Sequence, residues 1–246
     1  MSAPVFLSDD PALRTGRRVV LDGSEGRHAV TVRRLTVGED IVLTDGHGLS
    51  VRGTVAVVEG KDTLHVDVLE RAEEPPPAPR LVLVQALPKG DRGELAVETM
   101  TEVGVDVIVP WAAARCVTQW RGDRGAKSLA KWRATAREAG KQARRVHLPE
   151  VTELMTTRQV AQLLRTAALA GVLHEAASEP LAALDVPGEG DLVLVVGPEG
   201  GVAPEELAAF AEAGAGAYRL GPTVLRTSTA GVSAASVVMA RSGRWA

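Results

Sequence analysis

The sequence predicts an α/β protein: a domain built on a parallel sheet with helices on both faces, preceded by a small antiparallel β-barrel. Past residue 80, short apolar runs alternate with segments of helical period, which is the pattern of a parallel sheet. Before residue 73, short valine-rich runs are punctuated by Asp22-Gly23, Asp45-Gly46 and Glu59-Gly60, which is the pattern of a small barrel. Between them stands "EEPPPAPR", residues 73–80. Its consecutive prolines cannot join a helix or an inner strand and hold the chain extended. The expected organisation is a barrel over 1–72, a linker over 73–80 and an α/β domain over 81–246.

The barrel strands are expected at "RRVVLD", "EDIVLTDG", "VRGTVAVVEG" and "TLHVDVLER". The segment "EGRHAVTVRRL" fits either a short helix or a strand. After the linker, "RLVLVQAL" is a buried strand and "GELAVETMTEVG" a helix ending at Gly104. "VDVIVPW" is a strand and "AKSLAKWRATAREAGKQARR" a long basic helix, while "TRQVAQLLRTAAL" is a further helix. "AGVLHEA", "DLVLVVG" and "AGAYRLG" are strands. "PEELAAFAEAG" and "TSTAGVSAASVVMARSG" are the last two helices.

The chain has 246 residues, 45% of them hydrophobic, which is enough for a real core and excludes a disordered chain. Aromatics are only 3%, so aliphatic side chains and alanine must fill that core. The start, "MSAPVFLSDD", lacks a basic region followed by an apolar run, and the apolar runs are short of a membrane span. Cys116 stands alone, which fits a reducing compartment and reads as a small buried hydrophobe rather than a nucleophile. A cytoplasmic protein without membrane contact is expected. The net charge of −3 hides an asymmetry. Residues 115–147 hold ten Lys/Arg against Asp123 and Glu138, and residues 150–215 hold eleven acids against Arg158 and Arg165. The balance argues against nonspecific nucleic-acid binding and permits one directed basic face.

Two glycine loops carry the chemistry. In "LVLVVGPEGGVAPEE" an apolar strand enters a tight turn before a helix that opens with Pro204, Glu205 and Glu206. The carboxyl end of such a strand is where open α/β sheets place ligands. The spacing is G-x-x-G-G rather than G-x-G-x-x-G, and no lysine follows as a phosphate loop requires. Glu199 repels phosphate and suits a cation or a ribose hydroxyl. S-adenosylmethionine has a sulfonium, an amino group and a ribose, and no phosphate. The plain alternative is a strand–turn–helix corner with glycines for geometry. The second loop, in "YRLGPTVLRTSTAGVSAA", again runs strand, Gly-Pro turn, helix, and places Arg226 at the helix mouth with Thr227, Ser228 and Thr229 as capping hydroxyls. The small residues of the last helix permit close packing, or mark an alanine-rich core helix.

These paired motifs, "LVVGPEGG" and "RLGPTVLRTSTA", resemble the SPOUT class of methyltransferases. Within it the chain resembles the RsmE family of small-subunit ribosomal RNA uridine N3-methyltransferases. "HAVTVRRL" with "DGHG" resembles the family's PUA-like barrel, and "QALPKGDRGELAVETMTEVGVDVIVPW" the start of its catalytic domain. "KWRATAREAGKQARRVHLPEV" is similar to its basic helix and "LHEAA" to its first cofactor loop. The resemblance spans nearly the whole chain. It implies a C-terminal SPOUT α/β domain with a trefoil knot, which no periodicity would predict. It implies S-adenosylmethionine as cofactor, with Leu173, His174, Gly197, Pro198, Glu199, Gly200, Gly201, Leu220, Gly221, Leu225, Arg226 and Thr227 as cofactor-binding candidates. A homodimer acting on the small ribosomal subunit, near the decoding region, is implied as well. Ser228 stands where the family often has glutamate, and Lys141-Gln142 where it often has Glu-Gln.

In the basic helix, Leu129, Trp132, Ala136 and Ala139 recur at helical spacing and should face the core, while Arg133, Arg137 and Lys141 share another face. A solvated charged face is one reading; a grip on RNA phosphates is the other. The RNA-binding candidates are Arg133, Arg137, Lys141 and Arg144 here, Arg27, Arg33 and Arg34 in the barrel, and Lys89 and Arg92 after the first catalytic strand. The base to be methylated would be flipped into a pocket beside the cofactor. Arg226 is the catalytic candidate, stabilising the anion formed when uracil N3 loses its proton. None of the five histidines sits at a metal-ligand spacing, so no metal is expected. Three rivals remain: a SPOUT ribose 2′-O-methyltransferase, a noncatalytic RNA-binding assembly factor and a nucleotide-binding enzyme.

Overall fold

The structure, a computed structural model, describes residues 3–245. Met1, Ser2 and Ala246, at the outer ends of the two expected domains, lie outside the described residues. The chain forms two compact units, one running to Pro76 and taking in Gly140–Leu148, the other made of Pro77–Ala139 and Pro149–Ala246.

The first unit opens with β1 (Val5–Leu7), α1 (Ala12–Thr15), β2 (Arg18–Leu21) and α2 (Gly23–Arg27). The segment that fits helix or strand is helical: α2 continues into a π-turn, His28–Val32. Strands β3 (Asp40–Thr44), β4 (Leu49–Glu59) and β5 (Thr63–Glu73) follow. Their alternating residues, Ile41 and Leu43, Val51 and Val55, Leu64 and Val66, point into one core with Phe6 and Leu13. The sheet order is β1-β3-β4-β5-β2. Hairpin neighbours are antiparallel, as expected, but β1 runs parallel to β3. The expected antiparallel barrel is therefore a mixed sheet with β1 and β2 at its edges. Carboxylates, in place of a closing ladder, satisfy edge amides: Glu25 Oε2 accepts from Leu7 N at 3.4 Å and Asp10 Oδ2 from Val20 N at 2.8 Å. Two register shifts in the β4–β5 ladder bend the sheet over its core.

The second unit contains β6 (Arg80–Ala86), α3 (Arg92–Glu102), β7 (Val107–Trp111), most of α4 (Gly122–Gln142), β8 (Glu150–Val151), α5 (Thr157–Arg165) and β9 (Leu169–Leu173). Next come β10 (Glu179–Pro180), a 3-10 turn at Leu181–Ala183, β11 (Asp191–Val196), α6 (Pro204–Glu212), β12 (Gly216–Arg219) and α7 (Thr227–Arg241). Seven strands pair in the order β10-β12-β9-β11-β6-β7-β8, and every ladder is parallel. The two-residue strands β8 and β10 carry no periodicity, and nothing in the sequence marks them. Strand alternation sorts the core into two layers. Leu81, Leu83, Leu192 and Leu194 pack with α3, α4 and α7. Val82, Val84, Val193 and Val195 pack with α5 and α6. Leu129, Trp132, Ala136 and Ala139 of α4 are all buried, as their spacing requires.

Residues 140–148, expected in the second domain, group with the first unit instead. Gly48 N donates to Val146 O at 3.0 Å and Leu148 N to Gly46 O at 2.9 Å, so this segment lies along the "DGHG" turn. Lys141 is not on a solvated face with Arg133 and Arg137. Its side chain is 4% exposed, and Nζ lies 2.9 Å from Glu25 Oε1. A long cationic side chain reaches such burial only when paired.

Candidate active site

Strands β12, β9 and β11 are neighbours, so their carboxyl ends, Arg219, Leu173 and Val196, stand side by side. The loops leaving β11 and β12 rise from these ends and enclose a cleft of about 570 Å³. That volume falls in the range of small-molecule sites, roughly 300–1,000 Å³. All twelve cofactor-binding candidates, from Leu173 and His174 through Gly197–Gly201 to Leu220, Gly221, Leu225, Arg226 and Thr227, line it. Gly197, Gly200, Gly201 and Gly221 line the cleft, so part of its wall is bare backbone. Gly201 takes φ +73°, which a side chain resists, and its amide closes the turn onto Pro198 O at 2.9 Å. A Cβ at Gly221 would meet nothing within 4 Å, so open space adjoins the backbone there.

Glu199 has a structural partner. Its Oε1 accepts from Lys89 N at 3.1 Å, which brackets the turn after β6 against the glycine loop. His174 N donates to Tyr218 O at 2.9 Å, tying the two strand ends together. His174 Nδ1 accepts from Ala176 N at 3.2 Å, so in the neutral ring the proton sits on Nε2. Arg226 precedes α7 with extended backbone (φ −69°, ψ 150°), and its carbonyl accepts from Thr229 N and Ala230 N, both at 2.9 Å. The backbone is fixed while the exposed side chain borders the cleft.

Three groups escaped the sequence reading as site components. Arg115 lines the cleft, and its Nη1 donates to Gly200 O at 3.0 Å. Glu206 is buried and gathers three donors: Ala114 N and Thr157 Oγ1 on Oε1, each at 2.8 Å, and Ala203 N on Oε2 at 3.1 Å. One carboxylate thus joins the segment after β7, the start of α5 and the end of the glycine loop. Gln85, fully buried, donates through Nε2 to Ala86 O at 3.1 Å and Thr227 O at 3.4 Å, while its Oε1 has no partner. The spacing of Glu206 three residues after Ala203 was the one available signal, a capping pattern at the start of α6.

The RNA-binding candidates separate. Arg92 joins the cofactor-candidate cleft at the first residue of α3. Lys89 is exposed in the adjoining turn. Arg133 is committed to Val151 O at 3.0 Å and Glu153 Oε1 at 2.8 Å, and Arg137 is exposed on the same helix. Arg27, Arg33, Arg34 and Arg144 are exposed in the first unit. Lys141, being buried against Glu25, offers no free cation to a phosphate, contrary to expectation. Cys116 is half-buried, and burial raises its thiol above the ordinary range, which suits a packing role. Among the described residues no three His, Cys, Asp or Glu side chains could hold a metal ion, and no helix is long and apolar enough to cross a membrane.

Glu175 and Glu199 on the cleft suit a ligand that carries positive charge and no phosphate. Four arginines, Arg92, Arg115, Arg219 and Arg226, line the same cleft with Glu175 and Glu199 and leave a positive excess for a second, anionic ligand. Comparison with known proteins agrees with both parts. Residues 74–239 match the family of RNA methyltransferase domains, and residues 21–69 match the RNA methyltransferase PUA domain. The chain is 48% identical over 235 residues to ribosomal RNA small subunit methyltransferase E of Mycobacterium bovis, covering 94% of this chain and 89% of that one. It is 29% identical to the protein of that name from Bacillus subtilis, covering 89% and 88%. Among solved structures, a methyltransferase of Legionella pneumophila in complex with S-adenosylmethionine superposes with TM-score 0.83 at 28% identity, covering 98% of each chain. A ribosomal RNA small subunit methyltransferase E of Neisseria gonorrhoeae bound to S-adenosylmethionine gives TM-score 0.83 at 25% identity, covering 97% and 98%.

Proposed function

The chain belongs to the RNA methyltransferase family of ribosomal RNA small subunit methyltransferase E, with that family's PUA domain before the catalytic one, and on this premise we propose that it methylates N3 of a uridine in small-subunit ribosomal RNA. The observation that carries the reading is the cleft itself: twelve motif residues at three adjacent strand ends, lining one cleft together with four arginines. S-adenosylmethionine is its cofactor, held by the 197–202 and 220–227 loops and the β9 end, and it supplies an already activated methyl group. The chain's part is alignment, exclusion of water and charge stabilisation.

The target uracil must enter flipped out of its strand, with N3 toward the methyl group. Once N3 has released its proton to water, negative charge spreads to O2 and O4. The Arg226 guanidinium, on a backbone fixed by the start of α7 and bordering the cleft, is the group that would donate to one of those oxygens. Gln85 holds the Thr227 carbonyl from below and Arg115 holds the Gly200 carbonyl from the side. The two loops are therefore braced before substrate arrives.

The finer parts of this reading have their own support. The trefoil knot fits a loop, 220–226, that leaves β12 beyond β9 and returns to α7, which packs against α3, β6 and β11. A homodimer fits Val224 and Leu225, apolar residues exposed at the mouth of the cleft (79% and 38%). Light scattering at working concentration should give twice the chain mass, and a monomer would count against it. Action on the assembled small subunit near the decoding region, in the cytoplasm, follows the family resemblance.

The test is nucleoside mass spectrometry of ribosomal RNA from a strain lacking the gene, before and after incubation with the protein and S-adenosylmethionine. Restoration of N3-methyluridine is the expected result. Ribose methylation, or no change on either free RNA or isolated subunits, refutes the proposal. Arg226→Ala should lower methyl transfer far more than cofactor affinity; equal losses would assign Arg226 to cofactor binding instead.

A further inference from the structure

A second cleft lies wholly within the first unit, between β1, the π-turn and the residues that end α4. It is small, about 80 Å³, and is lined by Ala3–Phe6, His28, Arg33, Lys141, Gln142 and Arg144. No acid lines it. Lys141 is neutralised by Glu25 beneath, which leaves the Arg33 and Arg144 guanidiniums as its net charge. Neither is tied to an acid among the described residues.

The backbone around these arginines is unusual. Arg144 occupies the left-handed region at φ +58°. Arg145 N donates to Gly140 O at 2.9 Å and Arg144 N to Lys141 O at 3.1 Å, the pair of bonds that ends a helix in a Schellman motif. Glycine is the residue that suits this position, and a side chain there is strained. The π-turn also ends at a left-handed residue, though with wider spans: Arg34, next to the cleft residue Arg33, has φ +57°, with Arg33 N on His28 O at 2.9 Å and Leu35 N on Ala29 O at 3.1 Å. These two arginines are the only non-glycine residues at positive φ among the described residues. Held strain of this kind concentrates at functional sites.

Strand β1 adds a donor. Ser8 N bonds the β3 side of the ladder at Thr44 O, while Leu7 N turns to the opposite edge and meets Glu25. Amides alternate along a strand, so Val5 N points to that same outer edge, along the cleft it lines. His28, edge-on to Phe6 at 5.7 Å between ring centroids, forms the remaining wall.

From two guanidiniums, an edge amide and no carboxylate at the surface, we infer that this cleft seats one phosphodiester of the RNA substrate, outside the cofactor cleft. The inference rests on the RNA-methyltransferase reading for its ligand. The cleft fixes orientation of the RNA and reads no base. Arginine suits this task because its planar fork matches two phosphate oxygens.

The test uses the full chain with Arg33→Ala and Arg144→Gly, singly and together, and deproteinised small-subunit ribosomal RNA as probe. Arg144→Gly removes the guanidinium while placing the residue that suits φ +58°, so loss of folding cannot explain its effect. The expected result for the double variant is RNA binding about fivefold weaker at 0.1 M salt, with the slope of log affinity against log salt reduced by about 0.7–0.9, the signature of one lost phosphate contact. S-adenosylmethionine affinity and kcat should stay at the wild-type values while KM for RNA rises. Arg144→Lys should restore part of the salt slope. An unchanged slope overturns the inference, including the case where only the melting temperature moves, which marks the arginines as helix-end complements. Protection of these residues by inorganic phosphate with no change in RNA slope also overturns it, in favour of a free anion. If nucleoside analysis finds no N3-methyluridine but the slope falls as stated, the phosphate cleft stands and only the methylation reading fails.

Discussion

Removing the Glu206 carboxylate should loosen the candidate active site and the larger unit together. In Glu206→Ala three donors lose their acceptor: Ala203 N, which is buried, and Ala114 N and Thr157 Oγ1, which are part-buried. An unsatisfied buried donor costs about 1–3 kcal/mol, and water can reach the two part-buried ones, so the total comes to about 3–5 kcal/mol. For a unit of this size each kcal/mol moves the midpoint by about 2–4 °C, which gives a fall of roughly 6–20 °C. Glu206→Gln keeps one acceptor but turns an NH₂ toward a donor, and should cost about 1–2 kcal/mol. The assay is thermal and urea unfolding followed by tryptophan fluorescence. Trp111 reports on this region, since its Nε1 donates to Thr157 Oγ1 at 3.2 Å and its ring meets Phe210 edge-on at 5.3 Å. Cofactor affinity should fall in parallel, because Ala203 ends the glycine loop. A loss of less than about 1 kcal/mol in Glu206→Ala would refute the assignment of Glu206 as the junction of these segments.

Gly26→Ala should disrupt the PUA-domain unit selectively. A Cβ there would lie 2.0 Å from Asp62 O and 2.6 Å from Leu21 O, both backbone, so the cost should exceed about 3 kcal/mol. Limited proteolysis should open residues 3–73 while S-adenosylmethionine still binds. Gly221→Leu should do the reverse: open space surrounds its Cβ, so stability holds while cofactor affinity falls by about tenfold or more in calorimetry. Cys116 should react with iodoacetamide more slowly than a free thiol at pH 8, because burial raises its pKa. The sign follows: the neutral thiol's contribution to stability is full below the unfolded pKa and is lost as pH rises through the higher folded value, so Cys116→Ala should flatten the alkaline limb of the stability profile.

Much of the second unit was legible because its signals are local. Alternation in Leu81–Ala86 and Leu192–Val196 fixes which side chains face which helix layer, and the spacing of Leu129, Trp132 and Ala136 fixes the inward stripe of α4. The motif loops at 197–201 and 220–227 could be located because a strand, a Gly-Pro turn and a helix start are each written in neighbouring residues. The sequence by itself therefore determined the order of the longer elements, the parallel sheet and the place of the two motif loops. Sheet order, which sets the β9, β11 and β12 ends side by side, comes from pairing between distant segments, such as Asp191 of β11 with Arg80 of β6, 111 residues apart, and no local period encodes it. The same holds for β1, β8 and β10, too short to show alternation. Lys141 looked like one more surface cation because helical spacing says where a side chain starts, not what it meets; its burial depends on Glu25, 116 residues away in sequence. Glu206 looked like an acid suited to a helix start, and only the fold brings Ala114 and Thr157 to it. Tertiary structure decided these because desolvation and hydrogen-bond satisfaction are properties of the assembled neighbourhood, whereas periodicity and turn chemistry belong to the chain alone.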